Sequence, residues 1–272
     1  MLCARRRGSS GPVVLFENGA GSNSSVWLSV EALLESHFQT ISYDRAGLGL
    51  SPPAEGIRSG DAVVDDALAL LDAYGEQSVI VVAHSAGGLY AQLLQARAPE
   101  RVIGLVFVDA VDGYTYDEVK RALPLWARVA QKAFGAFVRF GDEIGGVAVF
   151  VRRSPGPQVS ANPAALAAHR LMWRGRNRLA GSRAEGAELP ATALRAREVP
   201  ALGNLLVGVV EAGQRRGAFA RISKQWHATQ ERLASLSSRS TSTSADGAGH
   251  FVQVDRPDIV AEAIRRVASA TA

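Results

Sequence analysis

"VVAHSAGGLY" (residues 81–90) sets a serine between a β-branched run and a run of helix formers. The segment "SVIVVA" (78–83) is almost wholly apolar, as expected of a strand buried on both faces of a parallel sheet. The segment from about Ala86 to Arg97 reads as a helix. A serine on such a turn, in the pattern G-x-S-x-G, is a nucleophile elbow. Here the pattern reads Ala83-His84-Ser85-Ala86-Gly87, with alanine in place of the first glycine. A plain helix-capping serine has the same local look, so the decision rests on what the rest of the chain brings to Ser85.

On either side of the elbow, strand-like and helix-like segments alternate. "PVVLFE" (12–17) and "FQTISY" (38–43) read as strands, with a helix between them over about 26–37. Ser59 and Asp61 open a helix whose apolar positions Val63, Val64, Ala67, Leu70 and Leu71 keep helical spacing, and Gly75 ends it. "RVIGLVFVDA" (101–110) is a further buried strand. This alternation predicts βαβ units and a mostly parallel, doubly wound α/β sheet. Residues 111–198 break the pattern and read as an arginine-rich helical cap inserted between core segments 1–110 and 199–272. Within it, Asn162-Pro163 reads as a helix start and "GGVAVFV" (145–151) is ambiguous. The core resumes with "GNLLVGVVEAG" (203–213), a helix near 218–237, a polar strand at 240–246 and a last helix, with Asp255 as its cap and Pro257 in its first turn.

A serine hydroxyl needs a base. Of five histidines, His250 has the most suitable setting, a glycine-flanked loop "ADGAGHFVQVD" after the last strand. In a doubly wound sheet that loop opens at the carboxyl ends of the strands, where Ser85 also lies. His84 adjoins Ser85, but the elbow turn should point it away. His37 and His169 lie in helix-like runs, and His227, beside Trp226, is a weaker candidate. The base needs a carboxylate to orient it. Two compete: Asp109, ending the strand after the elbow helix, and Glu211, ending the strand after the insertion. Backbone donors for an oxyanion are expected at Ala86 and at Ala20, in the loop "ENGAGSN". That loop lacks the lysine of a phosphate-binding loop and the full dinucleotide spacing, so neither phosphate nor a nucleotide cofactor is expected.

Composition narrows the classes further. Among 272 residues, 47% are hydrophobic and 21% charged, enough to build a sizeable core. The net charge of +4 comes from scattered arginines rather than the basic, aromatic-interleaved stripe of a nucleic-acid binder. No apolar run nears the roughly 18 residues that cross a bilayer. The four apolar residues Val13 to Phe16 fall short of a secretory segment of about 7–15, which predicts a cytoplasmic protein without a membrane partner. Cys3 is the single cysteine, so neither an internal disulfide nor a thiolate metal cluster is expected.

Four stretches together resemble the α/β-hydrolase fold superfamily of serine-esterase type: "VVLFENGAGSNSSVW", "SYDRAGLGLSPP", "VVAHSAGGLYAQLLQARAPERVIGLVFVDA" and "GAGHFVQVDRPDIVAEAI". They occur in the family's order. The resemblance implies a catalytic triad in chain order Ser85, an acid, His250, with oxyanion N–H groups from Ala20 and Ala86. It implies that Asp44 and Arg45 brace a turn rather than do chemistry. Asn18 and the preceding Glu17 stand where the family usually has histidine before the oxyanion-loop glycine. The commoner acid site, past the later strand, reads Gln214, Arg215 and Arg216, so Asp109 is favoured over Glu211, as in the dehalogenase-like branches. Only one strand, "MLCARR", precedes "PVVLFE", so the sheet is shortened at that edge.

The expected activity is cleavage of a carboxylic ester, lactone or thioester of a small, largely apolar substrate, through an acyl-enzyme and without a cofactor or metal. Trp126, Phe134, Phe137, Met172 and Trp173 of the cap are weaker candidates for lining the pocket. The alternatives are another reaction on the same triad (cyclase or thioesterase, acyltransferase, lyase, cofactor-free oxygenase) and a ligand receptor with an idle triad. The cap arginines suit an acidic carrier protein or simply a solvated surface, and a homodimer partner is equally open.

Overall fold

The computed structural model describes residues 2–122, 166, 179–214, 220 and 222–270. Its centre is a seven-stranded sheet: β1 (Cys3–Arg7), β2 (Val13–Glu17), β3 (Gln39–Asp44), β4 (Val79–His84), β5 (Val102–Val108), β6 (Gly203–Ala212) and β7 (Ser237–Ala245). The order is β1-β3-β2-β4-β5-β6-β7. Only β1 runs antiparallel, against β3, and it is the one edge strand expected ahead of "PVVLFE". The chain leaves β2 towards β3, then returns to place β4 on β2's other side. Loops after β2 and β4 therefore diverge around a crevice at the carboxyl ends of the strands, the usual ligand position in such sheets.

Strands β2 to β5 are buried on both faces, as their apolar runs require. Leu15, Val81, Leu105 and Phe107 face one layer, with Val64 and Leu71 of α2 (Gly60–Tyr74), residues of α3 (Gly87–Arg97) and Leu233. Val14, Phe16, Ile80, Val82, Val106 and Val108 face the other, with Trp27 and residues of α1 (Leu28–Leu34). Ser59 caps α2, accepting from the Ala62 N–H at 3.2 Å, and Gly75 ends it in a left-handed turn (φ 72°). The described residues of the range expected as cap include α4 (Thr115–Ala122) and α5 (Leu179–Arg197). The candidate pocket residues Trp126, Phe134, Phe137, Met172 and Trp173 lie outside the described residues, as do His169, Asn162-Pro163 and "GGVAVFV".

After β6 come α6 (Ser223–Ser235), β7, α7 (Val252–Asp255) and α8 (Pro257–Ser269). Pro257 starts α8 as expected, but Asp255 does not cap it; Arg256 holds the cap position. The Arg256 N–H closes a separate turn on the Val252 carbonyl, which leaves the Asp255 carboxylate free to accept from the Gly249 N–H at 2.8 Å. Among the described residues no helix is long and apolar enough to cross a membrane.

The two buried layers set a stability expectation. Phe107 is fully buried between β4 and β6, so Phe107→Ala should cost about 3–5 kcal/mol. Thr241→Ala, on the exposed and polar β7, should change stability by less than about 0.5 kcal/mol. Urea unfolding of the two variants measures the contrast.

Candidate active site

Ser85 follows the last residue of β4, and Asp109 follows the last residue of β5. The two strands pair in parallel up to His84 opposite Val108, so Ser85 and Asp109 occupy the next, matching step. Both have left-handed backbones, φ 53° and 43°, and are the only non-glycine residues with positive φ among the described residues. Such strain costs about 1–3 kcal/mol and persists only where the surroundings enforce it. Here the Ser85 N–H donates to the Val108 carbonyl (3.3 Å), and the Ser85 carbonyl accepts from Gly88 and Val111 (both 3.0 Å). The Asp109 N–H donates to the Val210 carbonyl at 2.7 Å.

Gly87, the last position of the elbow pattern, is fixed by close approach. A Cβ there would sit 2.7 Å from the Glu17 carbonyl oxygen and 2.8 Å from that of Asn18. Helix α3 thus starts directly against the loop after β2. Gly19, in that loop, would carry its Cβ 2.9 Å from His84 Nδ1 and 3.2 Å from the Ser85 Cβ. The Ser22 N–H closes a turn on the Gly19 carbonyl (3.1 Å) with Gly21 left-handed (φ 64°), and Ala20 is exposed at its tip. Among the described residues neither the Ala20 nor the Ala86 N–H finds an acceptor.

The base candidate reaches both other groups. His250 Nε2 lies 3.1 Å from Ser85 Oγ, and its Nδ1 lies 2.7 Å from Asp109 Oδ2. A carboxylate only accepts, so Nδ1 carries the proton and a neutral ring presents Nε2 to the serine as acceptor. Asp109 is fully buried, and its other oxygen accepts from the Ala212 N–H at 3.1 Å. The rings of Trp226 and Phe251 stand edge-on to the imidazole, with centroids 5.2 and 5.6 Å away.

Glu211 takes a different partner. Its carboxylate lies 2.8 Å from His227 Nδ1 on α6. Side chains alternate along a strand, so Glu211 shares the face of Val207 and Val209, which the layer containing α6 covers. Of the two acids left open by spacing, Asp109 meets His250 and Glu211 meets His227. His37 is exposed.

The bracing expected of Asp44 and Arg45 is present. Asp44 accepts from the Ser24 N–H and the Leu50 N–H, both at 2.8 Å, tying two loops together. Arg45 donates to Glu17 Oε1 and the Asn18 carbonyl (both 2.7 Å) and to the Gly19 carbonyl (2.8 Å). Asn18, the departure from the family's usual histidine, is fully buried, donates to the Tyr43 carbonyl (2.7 Å) and accepts from Trp27 Nε1 (2.8 Å). It anchors the start of the loop to β3 and to the helical turn that follows.

His84 has a role that its neighbour's prominence hides. Its Nε2 donates to the His250 backbone carbonyl at 2.8 Å, and its Nδ1 is buried without a partner. Burial, reinforced by the nearby His250, lowers its pKa to about 3. The ring is therefore neutral at ordinary pH, with its proton on Nε2. A buried histidine closing a strand is the one trace of this role in the sequence.

With this geometry in place, the comparisons with known proteins are direct. The model of the alpha/beta hydrolase family matches residues 13–263. The chain belongs to that family. It is similar to the uncharacterized protein YqjL of Bacillus subtilis (strain 168), 26% identical over 95% of this chain and 84% of that protein. It is also similar to 2-(acetamidomethylene)succinate hydrolase of Mesorhizobium japonicum, 34% identical over 47% of this chain and 45% of that one. Among solved structures, the enol-lactonase from Burkholderia xenovorans LB400 superposes with a TM-score of 0.69 at 20% identity, covering 98% of this chain and 96% of that chain. The family and fold assignments stand on these matches.

Neutral His84 predicts an acid-sensitive term in stability. In the unfolded chain a histidine binds its proton near pH 6.5, whereas folded His84 does not until about pH 3. The unfolded state therefore gains protons first, and stability falls as pH drops through that window. From pH 7 to pH 5 the contribution is about 2 kcal/mol. His84→Gln, which cannot titrate, should flatten the pH dependence of the unfolding free energy by that amount.

Proposed function

We propose that this chain is a serine hydrolase that cleaves a carboxylic ester, lactone or thioester through an acyl-enzyme. The observation that carries the reading is the unbroken relay Asp109–His250–Ser85, with distances of 2.7 and 3.1 Å, ending on a serine in a strained elbow. Ser85 Oγ attacks the carbonyl carbon while His250 Nε2 takes its proton. The oxyanion that forms faces the N–H groups of Ala20 and Ala86. The intermediate collapses and the leaving group departs with the proton from His250. Water then repeats the sequence and frees Ser85. Asp109 keeps the imidazole oriented and balances its charge while it holds the proton.

The family match and the partial likeness to a named hydrolase support hydrolysis as the reaction type. The preference for a small, apolar substrate rests on the sequence of the cap.

The test uses p-nitrophenyl acetate turnover together with labelling by a fluorophosphonate probe. Ser85→Ala should abolish labelling and lower turnover by several powers of ten. Full activity in that variant would overturn the reading, and labelling without turnover on any acyl ester would favour a receptor. Asp109→Asn should lower kcat by about 10⁴-fold, by analogy with other buried triad aspartates. Glu211→Gln should leave kcat unchanged, because its carboxylate faces His227.

The pH profile adds an independent check. Acidification should lower kcat/KM along a limb of one proton, since His250 must be neutral to accept. His84, at about 3, should add no second proton to that limb above about pH 4.

A further inference from the structure

The buried ion cluster at Arg45 reaches beyond the core. Arg45 is fully buried, and all five of its N–H donors are used. Three go to Glu17 and to the carbonyls of Asn18 and Gly19. The other two go to one residue of α5: Nε to Glu185 Oε2 and Nη2 to Glu185 Oε1, each at 2.7 Å. Glu185 is itself 3% exposed, and its Oε1 also accepts from the Gly21 N–H at 3.3 Å. Arg45 thus holds the carbonyls on the near side of Ala20, and Glu185 holds the N–H on its far side.

The rest of α5 is seated just as closely. A Cβ on Gly181 would run into the Gly47 carbonyl oxygen, and one on Gly21 into Ser182 Oγ. Helix α5 therefore meets the loop after β3 backbone to backbone and touches the oxyanion loop through the Ser182 and Glu185 side chains, with the two-pronged Arg45–Glu185 pair locking the contact. Such planar pairs fix geometry as well as charge. Burial works against a charge on Arg45, but Glu185 and Glu17 outweigh it and hold the guanidinium protonated above its ordinary range. Without Glu185 the cation would lose two of its five acceptors and Gly21 its only described one.

We infer that Glu185 is a positioning residue: it sets the oxyanion loop from the α5 side, so that the Ala20 N–H is already aimed when substrate arrives. The inference rests on the serine-hydrolase reading above. It makes α5, within the range expected as cap, a working part of the catalytic frame rather than only a roof over the pocket. A loop set about 1 Å off its productive geometry is enough to lower a rate by about 10²-fold.

The experiment measures fluorophosphonate labelling and p-nitrophenyl acetate turnover for Glu185→Gln, at a temperature where circular dichroism shows it folded. The glutamine keeps the volume but turns an N–H group towards Arg45. The maximal labelling rate and kcat should both fall roughly 10²-fold, with the probe's half-saturating concentration and KM little changed. The midpoint of the acidic limb should stay where it is, because His250 is untouched. A folded Glu185→Gln with wild-type kcat and labelling rate overturns the inference, as does a loss confined to melting temperature. Should the glutamine variant not fold, Glu185→Asp decides: its carboxylate is preserved but one methylene short. A lowered labelling rate with unchanged half-saturation supports the inference, and wild-type rates overturn it. Failure of the underlying reading looks different. It shows as an unlabelled wild type, which overturns both, or as a Ser85→Ala variant that still turns over.

Discussion

The arrangement depends on the step where β4 and β5 leave the sheet together. His84 and Val108 form the last ladder pair, and the next residue on each strand turns left-handed. The Val108 carbonyl takes the Ser85 N–H, and the Ser85 carbonyl takes two N–H groups from beyond the elbow and beyond β5. Ser85 cannot relax without breaking its bond to β5, nor Asp109 without breaking its bond to β6. The strain, about 1–3 kcal/mol at each residue, is offset by two apolar layers that fix the strands. The hydroxyl and the carboxylate are thus presented at the ends of two buried, paired strands.

Around that step the remaining groups are held by polar contacts in buried surroundings. His84 grips the backbone of His250 from beneath, Asp255 grips Gly249, and Asn18 and Arg45 hold the loop of Ala20. His84, Asn18 and Arg45 are buried, and each would be costly if left unpaired. Cost and function point the same way. A group that cannot afford to lose its partner is a dependable clamp for whatever that partner carries.

Much of this was readable in the chain. The apolar runs at 78–83 and 101–110 are unambiguous because parallel strands are buried on both faces. Ser85 and His250 followed from the elbow pattern and from a glycine-flanked loop. The choice between Asp109 and Glu211 was not settled by spacing, since both end buried strands. It turned on which face of β6 carries Glu211, and α6 brings His227 to that face. The roles of His84 and Glu185 left almost no local trace. Their partners lie 166 and 140 positions away, and a contact of that separation exists only after the sheet and α5 are assembled. Asp255 misled for the opposite reason. Two residues before a helix-starting proline it reads as a cap, yet the Gly249 N–H six residues earlier takes its carboxylate.

The matching of Ser85 to Asp109 across β4 and β5 has a consequence for how this scaffold varies. Their separation is inherited from the distance between neighbouring parallel strands, about 4.8 Å, and no side-chain change can retune it. The imidazole alone hangs on a loop. Changes of loop length or sequence between Ala245 and Val252 are therefore the dial by which descendants of this chain would shift reactivity, while nucleophile and acid stay pinned to a fixed gauge.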